Sequence, residues 1–360
     1  MPLQFVDRTC VLYQGRKLAY FAGCDYYRMS SHPGIMRAVT DGLKKYGLSV
    51  AASRVTTGNH ALYRELEIAL SRFFGAPAAV VVSTGYLTNL AVAQSLRGDF
   101  THVLLDSKAH VSLRDASQLF DCPVLEFKTR DLADLRRVHD KLGAGAKLIL
   151  LTDGVFTYEG EVAPLNEYLK ILGRHGTILV DDAHSAGLIG ERGRGSLEYC
   201  RVSRSQIIQT LTLSKAFGAF GGAILCSREL RERIVGESSI FAGSTPLPLP
   251  LVCAGIRAIE ILKSDNSFGE RINKNAHYVK SKLQFAGFPV SQSEVPVAAV
   301  TPKSSQEARL IEKRLLAHGV FPSFIRYPGG PPGGYLRIVI SSEHAKAEMD
   351  RLLAALSGFR

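Results

Sequence analysis

The chain has 360 residues, 46% apolar and 21% charged, which excludes a disordered or fibrous composition and allows one large domain with a smaller companion. Its formal net charge of +11 is spread thinly, and no basic stretch is interleaved with the aromatics of a base-stacking surface, so no nucleic-acid partner is expected. The six cysteines form no Cys-x-x-Cys pair, no apolar run is long enough to span a bilayer, and the N-terminus has no basic region leading into an apolar core; the expectation is no metal site, no membrane span, no leader and a reducing cytoplasm.

Residues 1–45 read as a lead-in segment packing on the smaller domain, with Pro33 suited to the first turn of a helix that ends near Gly47. Asn59 suits the cap of a second helix, with Leu62, Leu66, Leu70 and Phe73 on one face and Gly75 closing it. From residue 78, short apolar runs at 78–83, 102–106, 124–127, 147–153, 177–181, 206–209 and 222–226 alternate with amphipathic stretches. Near-continuous apolar strands separated by helix-length segments predict an α/β fold with a buried, mostly parallel seven-stranded sheet. The last two runs lie too close for a helical crossover, so that pair is expected to be antiparallel. After Pro250 the pattern predicts helices through 250–285, strands near 289–302 and 335–340, a helix near 305–318 and another closing the chain, with a turn-rich loop at 328–334. The expected domains are therefore 1–45, 46–246 (large) and 247–360 (small, α+β).

Three residues carry the chemistry. Asp181 ends an apolar strand, His184 follows three residues later, and Lys215 sits in a Ser/Thr/Gly-rich turn after the next strand. In open α/β sheets, ligands bind outside the carboxyl ends of the strands. There a carboxylate can pair with a pyridinium nitrogen, an imidazole can bond a ring hydroxyl and an amine can form a Schiff base, which together fit pyridoxal 5'-phosphate (PLP). Neighbouring strand residues face opposite ways, so Asp181 and Asp182 have different tasks, and the pyridine contact falls to Asp181. A lysine among Leu213, Ala216 and Phe217 is expected to have a lowered pKa. Gly85 and Tyr86, at a strand-to-helix turn, are the natural phosphate cradle. His110 is placed to stack on the cofactor ring, and Arg337 suits a substrate carboxylate.

Taken together, Phe21-Ala-Gly-Cys-Asp-Tyr26, Ser53-Arg54, Thr57-Gly-Asn-His60, Thr152-Asp-Gly-Val-Phe-Thr157, Asp181-Asp-Ala-His184, Gly193-Arg-Gly195, Lys215 and Leu336-Arg-Ile338 resemble the α-oxoamine synthases, fold-type I PLP enzymes, over nearly the whole chain. The resemblance implies that Lys215 links the cofactor and exchanges the Cα proton, with Asp181, His184 and His110 at the ring as catalytic groups. Gly85, Tyr86 and Thr212 would hold the phosphate, with Thr157 near the ring. Thr245 would reach the phosphate from the neighbouring subunit of a homodimer, and Arg337 would take the amino-acid carboxylate. The implied reaction is a decarboxylative condensation of a small amino acid with a thioester of coenzyme A or an acyl-carrier protein; the alternatives are an aminotransferase, an aldolase-type lyase or a non-catalytic partner. Three departures touch the substrate side. Cys24 replaces an asparagine that helps bind the amino acid, Arg28 replaces a glycine, and the glycine-rich approach to Ser53-Arg54 reads Ser49-Val-Ala-Ala. The chain is also expected to lack most of the family's N-terminal extension.

Overall fold

The computed structural model describes residues 3–143, 145–326, 331 and 333–359, which form two compact units. The larger comprises residues 32–155 and 162–264, and the smaller 1–31, 156–161 and 265–360.

The larger unit is built on seven strands: β1 (Ala78–Val82), β2 (His102–Asp106), β3 (Val124–Phe127), β4 (Leu148–Asp153), β5 (Thr177–Asp181), β6 (Ile207–Thr212) and β7 (Gly222–Cys226). Their order across the sheet is β1-β7-β6-β5-β4-β2-β3. All run parallel except β7, which is antiparallel to both β6 and β1, as the short β6–β7 connection requires. The Val-, Ile- and Leu-rich central strands are buried along their whole length because helices cover both faces. The register aligns the polar strand ends: Asp181 pairs with Asp153 on one side and Thr210 on the other, while Thr212 pairs with Gly222 and Gly222 with Val82. One edge of the sheet thus collects the ends of β4, β5, β6 and β1.

Helix α1 (Pro33–Tyr46) begins at the proline and stops at Gly47, and α2 (Ala61–Phe74) is closed by the left-handed Gly75. The cap of α2 is His60, whose Nδ1 accepts from the Leu62 N–H at 3.2 Å, and not Asn59. Asn59 is engaged elsewhere, its Oδ1 accepting from Arg54 Nε at 3.1 Å. Arg54 is buried, paired with Glu67 at 2.6 Å and stacked 4.7 Å over the Tyr63 ring. The Ser53-Arg54 and Asn59-His60 motifs therefore anchor a loop to α2.

The helix Leu249–Ser264 packs on α1 and α2, so closely that a Cβ at Gly42 would lie 3.0 Å from Cys253 Sγ. Residues 32–45 and 249–264 stay with the larger unit, and the chain passes between units at 31/32, 155/156, 161/162 and 264/265.

In the smaller unit, strands Val297–Val300 and Phe324–Ile325 flank Tyr335–Val339 in an antiparallel sheet. Helices Ser267–Phe285, Ser305–Ala317 and Lys346–Leu356 complete it, around a core that includes Val279, Leu283, Ile311, Leu336, Ile338 and Leu352. The lead-in forms a small antiparallel sheet (Gln4–Phe5, Cys10–Tyr13, Arg16–Ala19), and the Phe21 carbonyl accepts from the Val339 N–H at 2.9 Å. Most of the loop expected at 328–334 lies outside the described residues. Arg28 and Ala51, which stand where the resemblance has glycine, adopt φ of +52° and +51°. That left-handed backbone is the conformation glycine favours, so the fold retains the turn without the residue.

Candidate active site

Lys215, His184, Asp181 and His110 all lie at the carboxyl edge of the large sheet. β5 ends at Asp181, and the chain turns at once, with the Ala183 N–H donating to Asp181 Oδ1 at 3.0 Å. This brings His184 back over the edge, where its Nε2 lies 2.6 Å from Lys215 Nζ. Lys215 follows β6 in a turn fixed by Leu213, Ala216 and Phe217, all buried. The lysine's neighbours supply the packing and its amine is left to the half-buried edge.

The two adjacent aspartates face opposite ways. Asp182 is fully buried and accepts from the hydroxyls of Ser185 and Ser196, the Ser196 N–H and the Gln209 amide. Gly154 and Gly195 border it, and a Cβ at either would overlap its carboxylate. These glycines explain the Thr-Asp-Gly-Val-Phe and Arg-Gly strings: they make room for a structural acid. Asp181 instead holds one bond from Asn89 Nδ2 at 2.7 Å besides that from Ala183.

α4 (Val111–Ser117) begins after His110, whose Nδ1 caps it by accepting from the Ser112 N–H. The His110 backbone N–H donates to Asp153 Oδ2 at 2.7 Å. Burial, reinforced by the neighbouring Asp181 charge, pushes Asp153 well above the usual carboxylate range. Burial also holds His110 below the ordinary histidine value, and Lys215 adds to that effect.

α3 (Gly85–Ser95) starts at the end of β1. Thr84, at its cap, makes no side-chain bond to the first turn, so backbone N–H groups there point outward for an anion. A Cβ at Gly85 would lie 2.7 Å from Thr212 Cβ, and Thr212 Oγ1 in turn accepts from the Ser214 N–H at 3.2 Å. The first turn of α3, Thr212 and Ser214 thus outline a cradle that any side chain at position 85 would fill. Tyr86 stands edge-on to His110, ring centroids 6.3 Å apart, with its hydroxyl on Asp115. The Thr245 carbonyl accepts from Ser83 Oγ of the same chain at 3.0 Å. Gly85→Val is expected to weaken PLP affinity at least about tenfold by closing the cradle, measured by fluorescence titration, and also to lower the melting point of the free protein, because its Cβ meets the buried Thr212.

Arg337, Cys24 and Thr157 belong to the smaller unit. Arg337 lies on the central strand opposite Ala299, and its Nε is buried with no hydrogen-bond partner among the described residues. Burial pushes the Tyr26 hydroxyl well above the usual phenol range, and the neighbouring Cys24 adds to that effect. Asn89, Ser112 and Asp153 were not singled out as functional by the sequence. Asn89 lies one helical turn after Gly85 and Ser112 two residues after His110, which is the only trace they leave there. Among the described residues no cluster suits a metal ion, and no helix is long and apolar enough to cross a membrane.

A model of the aminotransferase class I and II family matches residues 24–356. The 8-amino-7-oxononanoate synthase of Thioalkalivibrio sulfidiphilus is 33% identical over 99% of this chain and 90% of its own length, and that of Trichlorobacter lovleyi is 30% identical over 99% and 92%. The serine palmitoyltransferase of S. paucimobilis, solved as a lysine-to-alanine variant with a bound PLP–myriocin aldimine, superposes with a TM-score of 0.91 at 27% identity, covering 99% of this chain and 92% of that one. The chain belongs to the aminotransferase class I and II family and, within it, to the α-oxoamine synthases. It is accordingly an enzyme.

Proposed function

We propose that this chain is a PLP-dependent acyltransferase that joins a small amino acid to the acyl group of a thioester, releasing the thiol and the amino-acid carboxylate as carbon dioxide. The observation that carries the reading is the 2.6 Å contact of Lys215 Nζ with His184 Nε2 beside Asp181, at the sheet edge that also holds the cradle at Gly85. When bound, PLP supplies an aldehyde that condenses with amines and a protonated heterocycle that accepts the electron pair left at Cα.

The protein's own groups do the rest. The first turn of α3, with Thr212 beside it, takes the phosphate, and the Asp181 carboxylate holds a proton on the heterocyclic nitrogen. Lys215 Nζ moves the Cα proton, with His184 Nε2 as the neighbour that shares its hydrogen. His110 would lie against the ring. Arg337, with its unpartnered buried Nε, takes the amino-acid carboxylate, Cys24 serves the substrate side, and Thr157 lies near the ring. The active form is a homodimer in which Thr245 also serves the partner's site, and the acyl carrier is coenzyme A or a carrier protein.

Glycine, alanine and serine, each supplied with a series of acyl thioesters, test the reaction. Thiol release that requires an amino acid, with one carbon dioxide released per thiol, is the expected result. Amino-acid conversion driven by a keto acid with no thioester would instead make the chain an aminotransferase.

A further inference from the structure

Asn89 is completely buried, and the orientation of its amide is dictated by its neighbours. A carboxylate only accepts hydrogen bonds, so the atom 2.7 Å from Asp181 Oδ2 is the Nδ2 amino group. That group also donates to Ser112 Oγ at 2.9 Å, while Asn89 Oδ1 accepts from Thr210 Oγ1 at 2.6 Å. Having accepted from Asn89, the Ser112 hydroxyl turns its single hydrogen to His110 Nδ1, 2.8 Å away. The Ser112 backbone N–H is directed at the same nitrogen at 3.3 Å. Two donors converge on Nδ1, which therefore carries the lone pair, and the ring's hydrogen resides on Nε2.

We propose that Asn89 and Ser112 are positioning residues that orient Asp181 and His110 together: one amide holds the carboxylate at Oδ2 and, through one serine hydroxyl, holds the imidazole with its hydrogen on Nε2. The inference rests on the reading in which both groups face the PLP ring. Its consequence is that a hydrogen arriving at His110 Nδ1 must be met by a turn of the Ser112 hydroxyl. A proton arriving at Nδ1 meets two hydrogens already aimed there. Turning the serine hydroxyl relieves that conflict, and its oxygen, with two lone pairs, still accepts from Asn89. The other groups facing His110 are Asp181 from β5, Lys215 from the turn after β6, Asp115 on α4, Asp153 at the end of β4 and the Tyr86 ring from α3. Burial outweighs the two carboxylates that favour a charged ring, and Lys215 opposes them.

The test uses the full-length protein carrying nitrogen-15-labelled histidine, before and after removal of bound PLP, titrated from about pH 5 to 8. The His110 signals are assigned by their absence in His110→Gln. The wild type is expected to show the Nε2–H form wherever the ring is neutral. Ser112→Ala keeps the helix and its backbone donor but loses the hydroxyl; it is expected to mix the two tautomers and raise the His110 midpoint by about one pH unit, the equivalent of one ordinary hydrogen bond. Ser112→Thr restores a hydroxyl and is expected to return the wild-type behaviour. Asn89→Ala is expected to weaken PLP binding roughly tenfold and to move the pH dependence of the bound chromophore. An unchanged tautomer and midpoint in Ser112→Ala would overturn the inference. Failure of the wild type to bind PLP, with the histidine titration as described, would instead remove the proposed function and leave the wiring intact.

Discussion

Lys215→Ala is expected to fold as the wild type does, to bind PLP without any covalent attachment, and to lose at least about a thousandfold in turnover. Folding should survive because the turn after β6 is held by its neighbours. Phe217 is wholly buried with its ring edge-on to Phe73 at 6.2 Å, and Leu213 and Ala216 are also buried. The half-buried lysine contributes its amine, not its packing, and water can replace that amine at His184 Nε2. Turnover should collapse because the same nitrogen has two tasks in the proposed reaction, attachment of the cofactor and transfer of the Cα proton. Proton transfer by a placed side chain is worth about a hundred- to ten-thousandfold by itself. The readout is mass spectrometry after borohydride treatment: the wild type gains one pyridoxyl phosphate at Lys215 and the variant gains none. A small primary amine added to the variant should recover part of the turnover, since it restores the missing base without the side chain. Borohydride labelling of the variant at some other lysine would move the attachment point and end the assignment.

The architecture was legible in the sequence because the central strands are buried on both faces. Such strands read as unbroken apolar runs, and all seven, with the reversed β7, are where those runs lie. The N-terminal hairpin was not legible: Gln4–Phe5 is exposed and Arg16–Ala19 is half charged, so neither carries a strand signal. The helical periodicity read through 250–285 resolves into two helices, interrupted at 265–266, because Leu249–Ser264 packs on α1 while Ser267–Phe285 joins the core of the other unit. At the candidate site, Lys215, His184 and Asp181 announced themselves by residue type at strand ends. Asn89 and Ser112 did not, since a polar residue inside a helix looks the same whether it faces water or a buried carboxylate. Position 60 shows the same limit. Asn59 has the better capping chemistry, and it lost the place because Arg54 needed its carbonyl.

Asp181→Asn should cost about a hundred- to ten-thousandfold in turnover while the pyridoxyl adduct at Lys215 still forms under borohydride. The side chains have the same shape, so the change is electrostatic. In the wild type, Oδ2 accepts from Asn89 Nδ2 at 2.7 Å and Oδ1 from the Ala183 N–H at 3.0 Å, which leaves each oxygen a lone pair for the protonated heterocycle. An asparagine must present its NH2 to one of those two donors, at a cost of about 1–3 kcal/mol for the unmet group. In the proposed reaction it also removes the negative charge that faces the heterocyclic nitrogen. Losing the partner of a buried charge is worth about 3–5 kcal/mol, and each 1.36 kcal/mol on the barrier is tenfold in rate. Asp181→Glu keeps the charge but misplaces it, so its turnover should fall between wild type and Asp181→Asn. The effect should appear in kcat and much less in the amino-acid KM, because the heterocycle's charge matters when the Cα–H bond breaks and hardly at all when the amino acid binds. A kcat for Asp181→Asn within tenfold of the wild type would mean that the nitrogen's proton is held by some other group, and the role of β5 in this site would have to be reassigned.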